Sequence, residues 1–335
     1  MGEEYTGRQK FVGGLRVLCA GLIWGLIPIF LRLTDGSTFI KVWMRVLISA
    51  LSMFIYLGVR GRLGSITALG RKKIIEVATQ GVILTANWIF FLLALDGAGS
   101  VALGELLGYT SPIFIAILAP LVLGEKFDKR VMVAVALALI GLTFILAPGD
   151  FTLTKETLWR AAMGLVSAFT VTLLTLRGKR AIRGVPGDVF MLIENASSTV
   201  IMTPIALYFL LTGQGPTTTT SWLLLIFGLG GVCTALASFI YMEGFKRIRA
   251  DHVAVLSYSE PISAIIFTAL LPTAAAIIPA LSAAIPAEAE PFTIYVAIGA
   301  ALVVSAGVYI MRLEKAAGTD DPAKEVPAME FPEDL

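Results

Sequence analysis

The sequence predicts an all-α integral membrane protein whose ten transmembrane helices form two inverted five-helix repeats. Three observations carry that expectation. The 335-residue chain is 57% hydrophobic and 15% charged, with a mean hydropathy of +0.84, whereas a soluble domain is nearer half apolar and a quarter charged. Apolar runs of about 17 to 25 residues recur from end to end, the length a helix needs to cross a hydrocarbon core roughly 30 Å thick. A Tyr-x-x-Pro segment also occurs twice, five spans apart.

Residues 1–14 read as a cytoplasmic N-terminus, and the first span as 15–33. It follows Arg8, Lys10 and Arg16 as a signal peptide would, but no small-residue cleavage site is evident and nine further spans follow, so it is read as retained. Spans at 39–58, 75–95, 101–123 and 131–147 complete a first unit, 15–147, and 148–157 forms an exterior linker. The second unit, 158–312, holds spans at 158–176, 187–211, 221–244, 253–271 and 293–311. It carries an inserted exterior loop near 272–291, punctuated by Pro272, Pro279 and Pro286. Period-two alternation is absent, which disfavours a β-barrel. The acidic, Pro-containing tail, 313–335, reads as a disordered cytoplasmic extension.

Charge sets the orientation. One side of the membrane receives 21 of the 26 lysines and arginines, leaving Arg32, Lys41, Arg45, Lys155 and Arg160 for the other. Positive loops stay inside, so both termini are expected in the cytoplasm. A net charge of +2 without a basic patch argues against a nucleic-acid partner. Cys19 and Cys233 sit in apolar runs and read as buried thiols. A lone histidine, His252, excludes a multi-histidine metal site and reads as an interface residue; no GxxxxGK[ST] loop or Ser/His/Asp set exists. Neither a catalytic residue nor a cofactor is expected.

"GYTSPIFIAIL" (108–118) and "SYSEPISAIIF" (257–267) share Tyr-x-x-Pro followed by a branched apolar run. Because each unit has an odd number of spans, the second must enter the membrane from the opposite side, which makes the repeat inverted. Tyr109 and Tyr258 then approach the bilayer centre from opposite faces. Pro112 and Pro261 each free a backbone carbonyl, consistent either with a packing kink or with a broken helix lining a cavity. Among the intramembrane carboxylates, Glu105 lies only about 6 Å deep and can snorkel, while Glu194 and Glu260 are costly unless partnered or protonated. Lys41 and Arg45 read as too close to the exterior to reach Glu260, which leaves protonation to neutralise it. On an ideal helix Tyr258 and Glu260, two residues apart, cannot face one cavity. Trp24 and Trp88 lie deep enough to be packing or cavity residues, whereas Trp43, Trp159 and Trp222 read as interfacial anchors.

"IWG" with a following proline (Ile23, Trp24, Gly25, Pro28), Arg45 in the second span, "LGEKF" after the fourth and the paired Tyr/Pro spans resemble the drug/metabolite transporter superfamily, closest to its EamA branch. "NWIFFLLA" and "LGYTSP" are similar to RarD-type members, and Asn87, beside Trp88, joins the candidate cavity residues. The loop after the ninth span departs from the family's compact turn. The resemblance implies a plasma-membrane secondary transporter, an exporter of a small metabolite, amino acid or drug-like compound working by alternating access. Its expected partners are that small-molecule substrate, the lipid bilayer, and protons as coupling ion. A nucleotide-sugar or phosphorylated-metabolite exchanger is the alternative; it requires cavity cations, and no lysine or arginine is expected mid-span. An intramembrane enzyme, the second alternative, lacks a nucleophile/base or metal set.

Overall fold

The computed structural model describes residues 5–95, 106–125, 127–146, 154–277 and 294–316. All regular structure among these residues is helical. The first half contains α1 (Gly7–Trp24), α2 (Ile27–Leu33), α3 (Thr38–Val59), α4 (Gly64–Thr67), α5 (Gly70–Leu95), α6 (Ser111–Leu123) and α7 (Lys129–Leu146). The second contains α8 (Lys155–Ala181), α9 (Gly187–Leu211), α10 (Thr219–Leu223), a π-helical stretch over Leu224–Leu236, α11 (Ala237–Phe245), α12 (Ala250–Leu256), α13 (Ser259–Ile277) and α14 (Ile294–Ala316). Seven segments among the described residues are long and apolar enough to cross a membrane: Gly7–Leu33, Thr38–Val59, Gly70–Phe91, Leu106–Leu123, Lys155–Ala181, Gly187–Leu211 and Thr219–Phe245. The other three expected spans are helical as α7, α12 with α13, and α14. Helix α13 continues through Pro272 to Ile277, into the stretch expected to be a loop. Glu105 and most of the linker, of the 272–291 segment and of the tail lie outside the described residues; α8 begins within the expected linker at Lys155, and α14 runs into the expected tail to Ala316.

Helices from the two halves pack in pairs: α1 along α11, α3 along α9, α5 along α8, and α7 along α14. Water drives none of this inside a bilayer, so helices associate through close van der Waals fit, and small residues permit it. The "GLIWG" stretch shows how. Gly21 and Gly25, one turn apart on α1 and its C-cap, press directly on Ser259 and Ser263 of α13. Ser263 Oγ donates to the Gly21 carbonyl at 3.1 Å, a bond that only a bare α1 surface allows.

Polar contacts fasten both ends of the bundle. At one end Thr217 donates its N–H to Asp35 at 2.8 Å and its hydroxyl to the same carboxylate, while Ser37 N donates to Gln214 O at 2.8 Å. Hydrogen bonds with Ser221 and then Thr217 hold the Asp35 carboxyl down to about 2. At the other end Arg62 pairs with Asp188 at 2.6 Å, and Arg249 with Asp251 at 2.7 Å. There Glu125 of "LGEKF" accepts from Ala250 N, the first residue of α12, at 3.2 Å. Burial, followed by the nearby Asp251 charge, pushes the Glu125 carboxyl above its usual range. His252, expected at an interface, is instead buried 3.9 Å from Asp251, because the short α12 is enclosed on all sides.

Candidate functional site

A cavity of about 280 Å³ opens where three membrane helices are interrupted. Helix α1 ends at Trp24 and resumes as α2 with Pro28 in its first turn. The helical turn over 106–108 breaks at Tyr109 and Thr110 before α6 begins, with Pro112 near its start. Between α12 and α13 the chain turns at Ser257 and Tyr258, ahead of Pro261. In each case proline sits where a helix begins, the position that needs no N–H donor from it. Chain interruptions are tolerated at membrane depth only where protein or water satisfies the exposed backbone groups. Tyr258 does so here: its hydroxyl donates to the Tyr109 carbonyl at 2.6 Å, so one break satisfies the other.

The break also removes the geometric objection to Tyr258 and Glu260 sharing a site. Both line the cavity, since residues across a turn do not keep the 100° advance of a continuous helix. Tyr258 is fully buried and Glu260 half-buried. The Tyr109 and Tyr258 rings stand 6.4 Å apart, and Phe91 meets Tyr109 edge-on at 6.4 Å. Trp24 packs on Tyr241 at 5.0 Å.

Arg45 overturns an expectation. Read as an exterior residue, it lies in the cavity wall, 5% exposed. Its guanidinium covers the Trp88 ring at 4.0 Å, and its Nε donates to Thr234 Oγ1 at 3.1 Å. The Thr234 hydroxyl donates in turn to Leu229 O, five residues back along the π-helical stretch, at 2.7 Å. With its proton engaged there, its lone pairs face Arg45. Glu260 lines the same cavity as Arg45. Spacing alone misjudged Arg45 because α3 starts only about two turns earlier, yet neighbouring helices close over it. Lys41 is elsewhere, donating to the carbonyls of Leu31 at 2.9 Å and of Thr34. Lys179, also buried, donates to the Phe245 and Ile248 carbonyls at and just beyond the end of α11.

One more carboxylate and two amides complete the wall. Glu194 and Asn195 are buried on α9, and Asn195 Nδ2 donates to Met191 O at 2.9 Å. Asn87 Nδ2 donates to Ser167 Oγ at 3.0 Å and Thr170 Oγ1 at 3.2 Å, tying α5 to α8. The cavity thus presents one guanidinium, two carboxylates and several aromatic faces. No group of three or more potential metal ligands exists among the described residues.

Residues 12–147 and 158–285 each match the EamA-like transporter family. The chain belongs to that family. Transporter YojE of Bacillus subtilis, itself uncharacterized, is 27% identical over 254 residues, covering 72% of this chain and 78% of its own. An uncharacterized transporter of Archaeoglobus fulgidus is 23% identical, covering 75% and 84%. Protein RarD of Escherichia coli is 27% identical, covering 76% and 83%. A crystal structure aligns over 91% of this chain and 98% of its own with a TM-score of 0.72 at 19% identity, a likeness of fold alone.

In this EamA-like transporter the candidate residues Trp24, Asn87, Trp88, Tyr109, Pro112, Glu194, Tyr258 and Glu260 all border the one cavity. Pro261 stands behind it in α13, and Glu105 lies outside the described residues. Sequence reasoning missed Phe91, Thr234, Ser238 and Tyr241 as wall residues. Only Tyr241 left a signal, an aromatic hydroxyl deep in an apolar run. Cys19, expected buried, is exposed on the outer side of α1.

Proposed function

We propose that this EamA-family membrane protein is a secondary-active exporter of a small metabolite, amino acid or drug-like compound, working by alternating access. Ten crossings in two inverted units, with both termini in the cytoplasm of a plasma-membrane protein, form the frame. The helix pairings support that frame, because exchanging the two halves maps α1–α11 onto α5–α8 and leaves α3–α9 and α7–α14 unchanged. Such symmetry is what allows a midplane site to open to either side by rocking of the units.

The single observation that carries the reading is the mixed-charge aromatic cavity at three helix breaks. At about 280 Å³ it suits a small ligand, since drug-sized sites begin near 300 Å³. Glu260, half-buried in the cavity wall that also holds Arg45, has two ways to be neutral: a salt link or a proton. A proton and a cationic group on the substrate then compete for it, which is the competition antiport requires. Arg45 supplies the phosphorylated-metabolite alternative with one cation, but two carboxylates in the same wall oppose a dianion.

Reconstituted protein with Glu260→Gln tests the reading. The expected result is retained substrate exchange with loss of accumulation driven by a pH gradient. Accumulation at the wild-type level would make transport uncoupled from this carboxylate. A thermal-shift screen against amino acids, nucleosides and phosphorylated sugars selects the substrate, and stabilisation by the phosphorylated set alone would favour the exchanger.

A further inference from the structure

A second concavity, of about 600 Å³, lies on the outer side of the bundle between α1, α12, α13 and α14. Leu15, Cys19 and Leu22 form its α1 wall, Ile266 belongs to α13, and Val304 and Gly307 belong to α14. Gly307 keeps it deep, since the nearest atom a side chain there would meet is Leu256 Cδ2 at 4.0 Å. The one serine in the wall, Ser259, has its hydroxyl directed at Leu18 O, at 3.4 Å. Along the apolar part of the wall a peptide backbone therefore finds no free partner among the described residues. The α1 wall from Phe11 to Leu22 is about 16 Å long, half of a roughly 30 Å hydrocarbon core and so one leaflet deep.

Charge marks only one end. Arg312 lines the groove and is exposed. Gly14 of α1 packs on Met311, so Arg312 and the N-terminus of α1 share that end. Arg8, also exposed, precedes Phe11 by three residues on the same helix face. Neither arginine forms a salt bridge among the described residues. An apolar slot one leaflet deep, with two guanidinium groups at its interfacial mouth that no described carboxylate pairs, has the chemistry to take a phospholipid with a negative headgroup.

We propose that this groove binds one acyl chain of an anionic phospholipid, with the headgroup phosphate held by Arg312 and Arg8. A second copy of the chain fits less well, because its own arginines would meet these two.

Native mass spectrometry of the full chain in detergent, offered equal phosphatidylglycerol and phosphatidylcholine of matched chains, tests the assignment. One phosphatidylglycerol retained about tenfold over phosphatidylcholine is expected from two basic contacts. Arg8→Gln with Arg312→Gln should bring that preference close to one, and Gly307→Phe should release both lipids. Should Gly307→Phe fail to fold, Val304→Phe on the exposed rim serves instead. Phosphatidylglycerol should also slow alkylation of exposed Cys19 in the parent and not in the double arginine variant. Equal retention of both headgroups, an unchanged preference in the arginine variant, or a dimer mass that Gly307→Phe abolishes would overturn the proposal.

Discussion

Replacing Arg45 by Met and Glu260 by Gln, singly and together, tests whether these two charges neutralise each other across the cavity. Removal of Arg45 forfeits the Trp88 contact at 4.0 Å and the Thr234 hydrogen bond at 3.1 Å. A desolvated cation–π contact contributes about 2 kcal/mol, and a hydrogen bond from a charged donor about 1.5 kcal/mol. Met recovers part of this by burying its own apolar surface, so a net loss of about 2–3 kcal/mol follows. Glu260→Gln leaves a guanidinium that cannot lose its proton, 5% exposed and facing one carboxylate fewer in the cavity. Breaking a fully buried pair costs about 3–5 kcal/mol. Glu260 is only half-buried, so screening by cavity water reduces this to about 2 kcal/mol. The double variant should lose less than the sum, with a coupling of about 1.5 kcal/mol or more. Thermal unfolding in mild detergent, read by alkylation of buried Cys233 after Cys19→Ser, supplies the measurement. Shifts on the order of 2 °C per kcal/mol apply to a chain of this length. If the double variant's loss equals the sum within about 0.5 kcal/mol, the pair is uncoupled and the account of Arg45 fails.

Gly25→Ala should destabilise by about 1–3 kcal/mol, because the new methyl would stand 2.6 Å from the Ala264 backbone nitrogen; Gly307→Ala, with 4.0 Å of room, should unfold like the parent in the same melt. Glu125 gives a pH signature. Its folded pKa lies above the ordinary 4.5, so its contribution is complete below 4.5 and is lost as pH rises through the raised value. Glu125→Gln, which can still accept from Ala250 N, should flatten the fall in melting temperature as pH rises above the ordinary 4.5, and an unchanged slope would assign that fall to another group. Periplasm-dependent reporters should be silent when fused at residue 320 and active when inserted near Thr217; the reverse pattern would invert the topology.

Much of the fold was legible because a bilayer imposes simple demands on a sequence. Long apolar runs, basic loops and the two Tyr-x-x-Pro segments need no tertiary information. The site was legible in part: Trp24, Trp88, Tyr109 and Tyr258 could be singled out as aromatic groups too deep for an interface. Arg45 was visible as a charge in an apolar helix, but its partners are Trp88 on α5 and Thr234, 189 residues away in sequence. The joint exposure of Tyr258 and Glu260 to one cavity depends on a two-residue turn that helical spacing cannot anticipate.

By itself the sequence determined that the chain is a helical membrane protein, with internal duplication and costly polar groups at depth. Only the tertiary structure decided which way each helix face points. In water the buried face of a helix is the apolar one, so hydropathy distinguishes inside from outside. In a bilayer the lipid-facing and packed faces are equally apolar. Cys19 and Cys233 therefore look alike in sequence, yet one is exposed beside the lateral groove and the other is buried near Arg45. What separates them is close packing at small residues, such as Gly21 and Gly25 against Ser259 and Ser263, which hydropathy does not record.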